Sequence, residues 1–113
     1  MKLITAKELK EKIDNKKNKN DFTLVYVLPE YIFNDRHIPT SINIPLDVLR
    51  DEAAEKLPDK KQEIIVYCSG SECRASGKAL KILEELGYTN LYGFEEGIEG
   101  WEKAGYAFDG RKW

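Results

Sequence analysis

The sequence predicts an α/β fold: a mainly parallel sheet of about five strands with helices on both faces. Three observations predict it. Short β-prone apolar runs at residues 22–28 and 63–67 are interleaved with amphipathic helical patterns. Those runs are nearly continuous rather than alternating, as strands buried on both faces require. Strand and helix patterns alternate along a chain of 113 residues, a length that suits one domain spanning residues 1–113.

Composition narrows the function. The hydrophobic fraction is 42%, enough for one compact core with little to spare. Charged residues make up 34%, yet the signs nearly cancel to a net charge of -2. A nucleic-acid partner would want a basic face instead. No apolar stretch is long enough for a signal peptide or a membrane span, so a soluble, cytoplasmic protein without a membrane partner is expected. In a reducing compartment, the two cysteines point to reactive rather than structural sulfur. Two cysteines and one histidine are too few for a closed zinc site, so neither metal nor cofactor is expected.

The elements follow in order. Leu3-Ile4 reads as a short strand. Thr5 can cap a helix, with Glu8 completing the reciprocal pair, and Leu9 and Ile13 share one helical face. Residues 15–21 are polar turn formers and read as a solvated loop. Residues 22–28 form a central strand, which Pro29 ends. Residues 30–36 hold a short helix, with Tyr31, Ile32 and Phe33 packing inward. Tyr31 and Trp113 are read as core and tail residues rather than a docking patch. Residues 37–45, with two prolines and alternating isoleucines, form a kinked extended segment holding one short strand. His37, at its start, reads as structural. A helix begins at Leu46, and residues 58–61 form a turn before the strand at 63–67. The next helix turns Ala75, Ala79, Ile82, Leu83 and Leu86 to one face. A strand at 90–92 and a helix from Glu95 to Ala104, with Ile98 and Trp101 inward, complete the order. That order reads as four strand–helix units.

The chemistry concentrates at Cys68-Ser69-Gly70-Ser71-Glu72-Cys73-Arg74. In an open α/β sheet, ligands bind beyond the C-terminal ends of the strands, and Cys68 falls there. The loop feeds a helix whose first N–H groups have no partner within the helix and favour negative charge. A Cys68 thiolate is therefore expected, with its pKa lowered. Arg74 adds fixed positive charge, Gly70 lets the backbone turn, and Ser69 and Ser71 supply hydroxyl donors. The result is a nucleophilic sulfur in an anion cradle, against the bland alternative of an inert buried cysteine. Cys73 has two readings, a resolving thiol that closes a disulfide with Cys68 or a small space-filling side chain. Glu72 points to solvent or pairs with Arg74.

The pattern resembles the rhodanese family over nearly the whole chain. His37-Ile38-Pro39-Thr40-Ser41-Ile42-Asn43-Ile44-Pro45 resembles that family's GHIPGAINIP segment. Tyr67 through Ser76 resembles its active-site loop, and residues 87–106 its closing GYxNVYxLxGGIxAWxxAGY segment. The resemblance implies a five-stranded, mainly parallel sheet. It implies sulfur transfer: thiosulfate or a persulfide gives its outer sulfur to Cys68, which passes it to a thiol, cyanide or a protein acceptor. Arg74 and the loop residues Ser69, Gly70, Ser71 and Glu72 would line the site. Three departures stand out. The C-x5-R loop is about one residue longer than in most single-domain members. It resembles the dual-specificity phosphatases and arsenate reductases built on the same fold. The Asp-Val-Arg stretch common after the central strand is replaced by Tyr26-Val27-Leu28, and Cys73 is additional. A phosphatase or arsenate reductase is thus the second reading, and a non-catalytic redox or sulfur-carrying module the third.

Overall fold

The computed structural model describes residues 2–17 and 21–112. Thr5 starts the first helix, α1 (Ala6–Asp14), as its sequence predicts. The Glu8 N–H donates to the Thr5 hydroxyl at 3.1 Å, and the Thr5 N–H donates to the Glu8 carboxylate at 2.9 Å. This reciprocal pair satisfies backbone donors that a helix start leaves open. Part of the polar loop expected at 15–21, residues 18–20, lies outside the described residues, as does Trp113.

The strands are β1 (Lys2–Leu3), β2 (Thr23–Tyr26), β3 (Ile42–Asn43), β4 (Ile64–Tyr67) and β5 (Leu91–Phe94). The other helices are α2 (Glu30–Asp35), α3 (Leu46–Lys56), α4 (Ala75–Glu85) and α5 (Gly97–Lys103). The sheet order is β1-β5-β4-β2-β3, and every pairing is parallel. β4 is central: Val66 lies level with Val25 on one side and Gly93 on the other. The four residues of β4 are all buried. Their apolar run has the physical cause inferred from sequence, since side chains point alternately to two covered faces. Ile64 and Val66 join Leu49, Ala79 and Leu83 under α3 and α4. Ile65 and Tyr67 join Leu9, Ile98 and Trp101 under α1 and α5.

Several expectations need correction. The strand–helix unit count is five, because Ile42 and Asn43 pair with Val25 and Tyr26. Tyr31 does not pack inward but is 69% exposed, since α2 turns Ile32 and Phe33 to the core instead. The last helix starts at Gly97, not at Glu95, because β5 runs on to Phe94, which pairs with Tyr67. Among the described residues, no helix is long and apolar enough to cross a membrane.

Residues 37–45 are tied to the end of β4. The Tyr67 hydroxyl accepts from the Ile38 N–H at 3.0 Å and lies 2.9 Å from the Ser41 hydroxyl. This satisfies a phenol that is otherwise buried. Thr40 makes the intervening turn with φ of 74°, a left-handed conformation that costs a β-branched residue. His37 is held by its neighbours. Its backbone forms an isolated bridge with Asp109, its ring stacks on Phe33 at 3.8 Å, and its Nδ1 lies 2.8 Å from the Phe33 carbonyl.

Candidate active site

The loop begins where β4 ends. Cys68 is 1% exposed, and Ser69 to Arg74 carry the chain to α4. A turn closes the loop on itself, with the Cys73 N–H donating to the Gly70 carbonyl at 3.0 Å. The start of α5 fixes its back. The Ile98 N–H donates to the Cys68 carbonyl at 3.1 Å, and the Glu99 N–H to the Ser69 carbonyl at 2.9 Å. Free N–H groups at the start of one helix thus hold the loop that starts another. Gly97 makes this approach possible. Its φ is 60°, and a methyl group there would lie 2.4 Å from the Cys68 carbonyl oxygen and 2.7 Å from the Gly70 nitrogen.

The two sulfurs differ in environment. The Cys68 thiol lies 3.5 Å from the Cys73 carbonyl oxygen and 3.5 Å from the Ser76 hydroxyl. Burial pushes its pKa up, and its hydrogen bond to the Cys73 side chain adds to this, outweighing the donors of Ser76. The lowered Cys68 pKa expected from sequence is therefore corrected. The charge preference moves to Cys73, which is only half-buried. Burial pushes the Cys73 thiol up, but hydrogen bonds from Cys68, the Ala75 and Ser69 N–H groups and the Ser69 hydroxyl carry it below the ordinary thiol range. The reason is where α4 begins. Its first residue is Ala75, so its earliest free N–H group reaches Cys73, and the next, from Ser76, reaches Cys68.

The remaining predicted residues separate. Ser69 is half-buried directly after Cys68, and its hydroxyl and N–H help to lower the Cys73 pKa. Ser71 and Arg74 are exposed and line, with Cys73 and Lys78, a cavity of about 620 Å³ between the N-terminus of α4 and the edge of the sheet. Among the described residues, neither Arg74 nor the exposed Glu72 beside it has an ion-pair partner. Gly70 matters less for turning than for room. A methyl group on it would meet the Glu99 carboxylate at 2.5 Å.

Two neighbours were missed by sequence reasoning, Ser76 and Glu99. The signal for Ser76 was its place in the first turn of α4, where a side chain can face back to the strand end. Glu99 is remote in sequence, and only the close approach that Gly97 permits would have pointed to it.

The model of the Rhodanese-like domain family matches residues 5–104. Thiosulfate sulfurtransferase PspE of Escherichia coli (strain K12) is 39% identical over 59 residues, covering 52% of this chain and 55% of PspE. The HTH-type transcriptional regulator Rv0324 of Mycobacterium tuberculosis is 34% identical over 89 residues, covering 79% of this chain and 38% of that protein. The chain therefore spans about half the length, or less, of these relatives. The solution structure of the rhodanese-like domain of the Anabaena protein Alr3790 superposes with a TM-score of 0.85 at 25% identity, covering 98% of this chain and 80% of that one.

Proposed function

We propose, from the premise that the chain belongs to the rhodanese-like domain family, that it is a sulfurtransferase working through a Cys68 persulfide. The observation that carries this reading is the placement of Cys68. Its sulfur sits at the end of the central strand, between the Ser76 hydroxyl and Cys73, in a loop pinned from behind by α5. In its thiolate form Cys68 attacks the outer sulfur of thiosulfate, or of a persulfide donor. The donor's S–S bond breaks, and sulfite or the donor thiolate leaves with the electron pair. The Ser76 N–H and hydroxyl donate to the Cys68 thiolate as it forms. No external oxidant is needed, because sulfane sulfur only changes partner. The acceptor is a thiol, cyanide or a protein thiol.

Mass spectrometry after incubation with thiosulfate tests this. The expected result is a gain of one sulfur atom that Cys68→Ser abolishes. Absence of that gain would remove the reading, and loading without turnover would favour a sulfur-carrying module. The phosphatase and arsenate reductase reading has less support. A tetrahedral oxyanion needs free loop N–H groups, and that of Cys73 already donates to the Gly70 carbonyl.

A further inference from the structure

We infer that Cys73 is a second sulfur carrier, which takes the sulfane sulfur from Cys68 and presents it to the acceptor in the cavity beside α4. The inference rests on the sulfur-transfer reading and names the exit from the same site. Three observations carry it. Cys68 is 1% exposed and is absent from the lining of that cavity, so an acceptor bulkier than the donor meets a closed approach to its sulfur. Cys73 is half-buried and does line the cavity, which measures about 620 Å³, so its sulfur borders both the loop and open space. The two cysteines are in contact: the Cys68 thiol lies 3.5 Å from the Cys73 carbonyl oxygen. Arg74 and Lys78 also line the cavity and favour an acceptor that arrives as a thiolate, with Glu95 the one opposing charge in the lining.

The steps balance without an oxidant or a reductant. The Cys68 thiol gives its proton to the Cys73 sulfur and attacks the donor, leaving a Cys68 perthiolate. Cys73 returns the proton to the outer sulfur and becomes a thiolate. That thiolate attacks the outer sulfur. The bond from Cys68 to the outer sulfur breaks, and its electron pair stays on Cys68 as the thiolate. The products are a Cys73 persulfide and a Cys68 thiolate held by the donors of Ser76. An acceptor thiolate in the cavity then takes the outer sulfur from Cys73. Attack by Cys73 on the inner sulfur would instead give a disulfide and free sulfide, and would need an external reductant to reset.

The test is to map the persulfide. The whole protein is loaded with thiosulfate, alkylated at successive times and digested after Glu72, which places Cys68 and Cys73 on different peptides. The relay expects alkylated persulfide on Cys68 first and on Cys73 later, with both disappearing when glutathione is added. Cys73→Ser and Cys73→Ala should hold the sulfur on Cys68 and deliver it to glutathione at least about tenfold more slowly, having lost an intramolecular step. In Cys68→Ser, neither cysteine should load. Sulfur confined to Cys68 in the wild-type protein would overturn the relay while leaving sulfur transfer in place. So would a Cys68–Cys73 disulfide with sulfide release, or loading of Cys73 in Cys68→Ser. No loading at either cysteine would overturn the sulfur-transfer reading as well.

Discussion

Gly97 does for the loop what no other residue type can do. It combines a left-handed φ of 60° with a backbone approach that leaves no room for a methyl group against the Cys68 carbonyl. Gly97→Ala is expected to cost about 2–4 kcal/mol through strain and overpacking together. The urea midpoint should fall accordingly, and the remaining folded protein should load sulfur poorly, because the loop is pushed forward. Gly70→Ala makes the informative contrast, since its methyl group meets the end of a flexible, exposed Glu99 side chain. At this scale the sequence pointed to Cys68 but not to which sulfur favours the charge. The position of Cys68 follows from the apolar run before it. Which sulfur the N–H groups reach depends on the residue at which α4 starts and on the direction of Cys73, and neither is written in residue type. Glu99 escaped for a related reason: it meets the loop by approach across the fold rather than by spacing.

Among the elements, the segment from His37 to Pro45 shows how a connection positions a site. It pairs with β2 through Ile42 and Asn43 and ties itself to Tyr67, the residue immediately before Cys68. Its turn is strained at Thr40, where the resembling family segment has glycine. Thr40 is exposed, so its side chain contributes little packing to offset that strain. Thr40→Gly should therefore raise stability by about 0.5–1 kcal/mol, the left-handed penalty less the extra entropy that glycine loses on folding. Paired denaturation curves would check it, and an unchanged or lowered midpoint would refute it. Helices and central strands were legible in the sequence because their periods differ and their caps are local, as Thr5 and Glu8 show. The edges of elements were less so. The start of α5 was misplaced by two residues because Glu95 and Glu96 suit a first turn, while the pairing of Phe94 with Tyr67 decides where the strand ends. Tyr31 was misassigned because a short helix shows too few turns to reveal which face is inward.

The whole molecule is a single sheet with two covered faces, and its buried phenols make its stability sensitive to alkali. Burial first, then the Cys68 and Cys73 charges, push Tyr26 up to about 12. Burial raises Tyr67 as well. Both stay neutral in the folded chain at a pH where the unfolded chain has ionised them, near 10. The unfolded state then binds fewer protons than the folded one, so stability falls as pH rises. The contribution is fully present below about pH 10 and is lost progressively as pH climbs through the folded values. The urea midpoint should fall as pH rises from about 10 toward 12, and a flat midpoint over that range would contradict this. The mainly parallel sheet was legible from the interleaved patterns, whereas the order β1-β5-β4-β2-β3 was not, because strand neighbours are chosen by faces that meet only in the folded chain. The buttress from α5 onto the loop has a consequence for how such a site can diversify. With the carbonyls of Cys68 and Ser69 anchored from behind, inserted residues have one direction in which to grow, outward past Cys73 and Arg74. Insertions or deletions between Gly70 and Arg74 would then resize the cavity beside α4 while Cys68 keeps its seat. Loop length becomes a dial for the size of the incoming molecule, separable from the chemistry that is done to it.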